Sequence, residues 1–153
     1  MLFDSIMVSG PDILNSVSQK VLEEIRRTLI EQESAYQHKS TVKSFSSLWA
    51  HSSRVGRIAH RLARAESLEP EPALLAGLLH DAGKFAQGKY HKDDIPEEEN
   101  AVRFVERILS GTEYERWIPT VNQAILPMYL AAEATSAIGR AVHDADSFEM
   151  LPQ

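Results

Sequence analysis

Three groups of residues in this chain carry the side chains that a divalent metal uses, and each stands in an otherwise apolar setting. The first is His80-Asp81, which follows the unbroken apolar run Ala73-Leu74-Leu75-Ala76-Gly77-Leu78-Leu79. Imidazole and carboxylate groups at the end of a buried element are costly unless they are paired or bind an ion. The second is His51, in a segment where Leu48, Val55, Ile58, Ala59 and Leu62 recur at helical spacing. At about 100° per residue His51 falls between Leu62 and Ile58 on that apolar face. The third is Ala141-Val142-His143-Asp144-Ala145-Asp146, where two aspartates interrupt a helical apolar pattern. Each group alone has a plain structural reading, as a helix end or a hydrogen-bonded core histidine. Together they supply two imidazoles and two carboxylates, a donor set suited to Mn²⁺, Fe²⁺, Co²⁺, Ni²⁺ or Zn²⁺. The chain has no cysteine, so thiolate sites, disulfides and cysteine nucleophiles are excluded together.

Helix geometry discriminates between the late aspartates. Asp146 follows Val142 by one turn and lies near the Ile138-Val142 stripe, whereas Asp144 turns further away, as a solvated residue, a supporting residue or an alternative ligand. Lys84 and Arg54 follow Asp81 and His51 at the same short spacing, where either can face an anion beside the metal.

The elements that must position these residues read as helices throughout. Apolar residues at three- and four-residue steps predict a first helix from Pro11 to about Ser34. A polar stretch, Glu33 to Ser44, reads as a loop holding His38. A second helix is expected from about Ser46 to Glu66, with His60 roughly opposite the apolar face and therefore at the surface. Pro70 and Pro72 introduce the apolar segment ending at Leu79, a buried helix by its Ala and Leu content. Polar residues from Phe85 to Pro96, among them His91, suggest a loop beside the site. A helix from about Glu97 to Leu109 ends at Gly111, and Pro119 and Pro127 bracket a short piece, Thr120 to Leu126. The last helix should run from about Ala132 to Phe148. The expectation is an all-α bundle of about six helices.

With 153 residues, 43% of them apolar, the chain suits one domain over 1–153, its core at about 46–150 and the segment 11–34 packed on it. That first helix has enough apolar surface either to cover the core or to meet a second copy in a homodimer. A net charge of −6 argues against stable nucleic-acid binding through a broad basic face. Met1 to Gly10 contains Asp4 and no basic segment or long apolar run, and no apolar stretch approaches the roughly 20 residues of a membrane span. A soluble, cytoplasmic protein without membrane association is expected.

The arrangement resembles the HD superfamily of metal-dependent phosphohydrolases, whose pattern is a histidine, a His-Asp pair and a distant aspartate. The likeness is carried by His51-Ser52-Ser53-Arg54-Val55, by Leu78-Leu79-His80-Asp81-Ala82-Gly83-Lys84 and by Asp144-Ala145-Asp146-Ser147-Phe148. It implies that His51, His80, Asp81 and a final aspartate hold the metal. The family's alanine-aspartate pair agrees with Asp146 for that last place. It further implies a water activated by the metal, Asp81 as a catalytic residue, Lys84 as a catalytic and phosphate-binding residue, and Arg54 as a second phosphate contact. The implied substrate is a phosphate ester of a nucleotide or similar small phosphorylated metabolite. Two-metal members add histidines between the pair and the last aspartate, but between the pair and the last helix there is only His91 here. One metal ion is therefore expected, with the acidic run Glu97-Glu98-Glu99 explained by the helix N-terminus it begins. The rival readings are an HD-type module that binds a nucleotide or a metal, or serves signalling, without turnover, and a purely structural helical domain.

Overall fold

The computed structural model describes residues 12–39, 47–83, 97–130 and 132–149, which form six α-helices and two short 3₁₀ turns, with no strand among the described residues. The architecture is all-α, as the periodicity predicted.

The first expected helix is divided in two. Asp12 caps a single 3₁₀ turn, Ile13–Ser16, by accepting the Leu14 N–H at 3.1 Å, and the chain then extends at Val17 with ψ 140°. Ser18 N–H donates to the Tyr114 hydroxyl at 2.8 Å, which satisfies the backbone at the break. Helix α1, Gln19–Lys39, follows and buries Val21, Ile25 and Leu29. It continues into the stretch read as a loop, as far as Lys39, and so places His38 in helix, because Gln, Glu, Ala and Lys are good helix formers. Pro11 and residues 40–46 lie outside the described residues.

Helix α2, Leu48–Ala65, starts at Ser47, whose Oγ accepts the Ala50 N–H at 3.3 Å. It ends with Ser67 in the left-handed region at φ 59°, where Ser67 N–H and Leu68 N–H close onto the Arg64 and Ala63 carbonyls. Helix α3, Pro70–Leu79, accommodates both prolines in its first turn and is buried from Pro72 to Leu79, as expected of a helix apolar all round.

Helix α2 packs against α3, α1, the first 3₁₀ turn and the last helix. His60, expected at the surface, is consequently only 8% exposed. It lies one turn beyond Arg57, whose guanidinium pairs at 2.6 Å with Asp12, the cap of the first 3₁₀ turn. Burial, aided by the charge of Arg64, lowers the pKa of His60 and keeps it neutral.

Helix α4, Glu97–Leu109, and the turn at Gly111, φ 75°, fall where the sequence placed them. After the 3₁₀ turn Glu115–Trp117 comes α5, Ile118–Tyr129, longer than the expected Thr120–Leu126 at both ends. Pro119 sits in the first turn, where no N–H is needed, and Pro127 falls close enough to the C-terminus that the helix loses a single bond and continues. The last helix, α6, Ala137–Glu149, begins later than expected because Ser136 caps it: its Oγ accepts the Gly139 N–H at 2.9 Å. No helix among the described residues is long and apolar enough to cross a membrane.

Candidate metal centre

Helices α2 and α3 meet with almost no separation at one point. A Cβ built on Gly77 would stand 2.6 Å from the Gly56 Cα and 2.8 Å from its N, so the two backbones touch where both residues lack side chains. This crossing sets how closely His51, one and a half turns before Gly56, approaches His80, at the C-cap of α3. The two rings lie 5.2 Å apart between centroids. Helix α6 packs along both α2 and α3 and brings Asp146 to the same place.

The result is a cluster of four polar groups from three helices. His51 Nε2 stands 3.0 Å from Asp146 Oδ1 and 3.6 Å from Asp81 Oδ2. His80 Nε2 stands 3.2 Å from Asp81 Oδ2 and 3.4 Å from Asp146 Oδ1. One donor atom each from His51, His80 and Asp81 fall within 4.8 Å of one another, a spacing at which they can share an ion.

His80 shows why a cation suits the cluster. Its ring is 1% exposed, and Nδ1 faces the Gly77 carbonyl oxygen at 2.7 Å. A carbonyl only accepts, so Nδ1 carries the hydrogen and Nε2 is directed at the two carboxylates. Despite the short separations Nε2 completes no hydrogen bond. A lone pair aimed between two anions needs either a proton or a metal. Burial opposes charge on the imidazole, but the Asp81 and Asp146 carboxylates outweigh it and push the His80 pKa up to about 10. Burial likewise disfavours the Asp146 anion, but the His51 and His80 imidazoles beside it hold its carboxyl well below the usual carboxylate range. Nitrogen and oxygen donors without sulfur, one of them buried and lacking a partner, fit a first-row divalent ion.

The remaining expected residues are placed differently. Asp144 is exposed and lies in the wall of an adjoining cleft rather than against the histidines. Arg54 gives Nε and Nη2 to Glu149 Oε1, at 2.7 and 2.6 Å, while its side chain remains 42% exposed. Lys84 and His91 lie outside the described residues. The sequence reading missed Glu149 and Tyr129. Glu149 follows Asp146 by one turn on α6, a spacing that could have flagged it. Tyr129 accepts the Gly83 N–H at 2.8 Å and so pins the turn after the His-Asp pair; the extension of α5 past Pro127 is what brings it there. The cleft has a volume of about 660 Å³ and runs from Met128 past Glu133, Arg140, His143 and Asp144 to Asp146.

The HD-domain family model matches residues 48–151. The chain belongs to the HD family. Searches of curated proteins and of solved structures each returned no significant match. The matched span contains the whole cluster. Members of the HD superfamily are generally metal-dependent phosphohydrolases, which agrees with a His51, His80 and Asp81 group able to hold an ion.

Proposed function

We propose that this HD-family chain hydrolyses a phosphate ester of a nucleotide or similar small phosphorylated metabolite, with one divalent ion held by His51, His80, Asp81 and Asp146. The observation that carries the reading is the convergence of two imidazole Nε2 atoms and two carboxylates, with the buried Nε2 of His80 lacking a hydrogen bond. A divalent ion bound there supplies positive charge for the phosphoryl oxygens and acidifies the attacking water.

The chain's own residues supply the rest. The Gly77 carbonyl and the packing around His80 keep that ring in one orientation. Asp81, 19% exposed, has both access to solvent and a place in the cluster, and it is assigned to orient the water and take its proton. The adjoining cleft, with Asp146 in its wall, gives a small substrate room beside the ion. Lys84 is proposed to contact the phosphate, and Arg54 to add positive charge beside it.

A second reading, a module that binds nucleotide or metal without turnover, is favoured by one observation: two N–H groups of Arg54 are already engaged by Glu149. Assay of nucleoside monophosphates, dinucleoside polyphosphates, guanosine alarmones and a simple aryl phosphate with the Mn²⁺-loaded protein separates the two. Turnover of at least one class is expected, falling about 10²-fold or more in Asp81→Ala, the scale of a lost proton-transfer group. Stoichiometric Mn²⁺ with no turnover of any substrate above the Asp81→Ala background would sink the enzyme reading in favour of the binding module.

A further inference from the structure

Glu149 joins two residues of the site that would otherwise be unconnected. Its Oε1 accepts both Arg54 N–H groups, and the same oxygen stands 3.7 Å from His51 Nδ1, on the side of the ring away from Asp81 and Asp146. The Glu149 side chain is only 12% exposed, so water screens this charge weakly.

We propose that Glu149 is a positioning residue of the metal centre: anchored by Arg54, it holds the His51 imidazole with Nε2 turned toward the carboxylates that share the ion. The proposal rests on the reading of the cluster as a metal site. An imidazole that binds a metal through one nitrogen needs its hydrogen on the other and its ring fixed. His80 obtains both from a backbone carbonyl, Gly77 O, because it stands at the end of α3. His51 lies within α2, where neighbouring carbonyls are taken up by the helix itself. A carboxylate from a second helix replaces the carbonyl. Negative charge beside Nδ1 favours hydrogen on that nitrogen and leaves the lone pair on Nε2.

The α2 and α6 contact is built for this in successive turns. One turn holds His51 against Asp146, and the next holds Arg54 against Glu149. Two N–H groups on one oxygen fix the carboxylate in place, and the guanidinium keeps it from being a lone, mostly buried anion. At 3.7 Å the contact with Nδ1 is longer than a hydrogen bond, so Glu149 acts on the ring through charge and orientation.

The test is Mn²⁺ affinity, measured by titration of the metal-free protein, alongside its metal-free melting temperature. Glu149→Gln keeps the size and removes the charge; it is expected to weaken Mn²⁺ binding about 10-fold, the low end for residues that orient a ligand. Arg54→Gln should shift affinity the same way. The double variant should be no weaker than Glu149→Gln alone, since Arg54 acts through Glu149. Asp146→Asn serves as the ligand control, with an expected loss above about 100-fold. If Asp146→Asn abolishes binding while Glu149→Gln changes the melting temperature alone, the positioning role is overturned and the metal site stands. Should Asp146→Asn leave affinity unchanged, the metal reading itself falls. A loss in Glu149→Gln as complete as in Asp146→Asn would make Glu149 a ligand, which also overturns the proposal. If Glu149→Gln does not fold, Arg54→Gln carries the test, and unchanged affinity there overturns it.

Discussion

Replacing His80 by alanine should yield a protein whose melting temperature no longer responds to Mn²⁺. His80 supplies the buried nitrogen of the cluster, the one that completes no hydrogen bond and faces two carboxylate oxygens at 3.2 and 3.4 Å. An ion that binds only the folded chain stabilises it by about 2.7 kcal/mol at a hundredfold excess over Kd, which for a chain of this size raises the melting temperature by roughly 5–11 °C. Residues that merely orient a ligand cost about 10–100-fold in affinity when removed, so losing a direct donor should cost more than about 100-fold and erase that rise. The ring is fully buried, so the alanine also leaves a cavity and lowers the melting temperature without metal. The informative quantity is therefore the difference between melts with and without Mn²⁺ for each protein. Equal rises in wild type and His80→Ala would rule out His80 as a ligand.

Gly77→Ala should destabilise the fold severely even though alanine is the better helix former. Propensity alone would favour the substitution by about 1 kcal/mol. The added Cβ, however, would stand 2.6 Å from the Cα of Gly56 and 2.8 Å from its N, and backbone atoms cannot rotate away. The helices must separate, at or above the upper end of the about 1–3 kcal/mol usual for overpacking, or roughly 6–12 °C in melting temperature at 3 kcal/mol. Gly56→Ala is the control. Its Cβ would meet Leu74 Cδ1, Leu74 O and Leu78 Cγ at 3.2 Å, where two of the three neighbours are flexible side chains, so it should cost far less. Gly77→Ala should also weaken Mn²⁺ binding, because the crossing sets the separation of His51 from His80. A melt of Gly77→Ala within a degree or two of wild type would refute the close crossing.

The sequence made the four clustered residues legible because each broke an apolar pattern, and a charge at a core position must be explained by a partner. Helix-face geometry separated Asp146 from Asp144 for the same reason, and the structure places only Asp146 against the histidines. What escaped was set by contacts between segments distant in the chain. His60 lay on the polar side of its helix, and nothing in its sequence surroundings revealed that packing by other segments would bury it. Val17 fits helical spacing in sequence; the break there depends on the Tyr114 hydroxyl, 96 positions from the Ser18 N–H it receives. Pro127 read as a boundary, yet a helix one bond short still continued to Tyr129. Glu149 escaped because its partner Arg54 lies on α2, 95 positions away in the chain.

The position of α6 also bears on the order of events in folding. Arg54 and Glu149 are 95 positions apart, and His51 and Asp146 belong to the same two helices, so the donor set is complete only after a loop of most of the described chain has closed. Such closure is a late step, because its entropy cost precedes any contact it gains. An ion held by the finished centre would therefore act as a brake on the way out of the native state, with little influence on the way in. Stopped-flow traces with and without Mn²⁺ should differ in the unfolding arm and nearly coincide in the refolding arm; a metal-dependent refolding rate would mean that the centre forms early. Kinetic persistence, rather than assistance in folding, is what this chain would gain from carrying a metal.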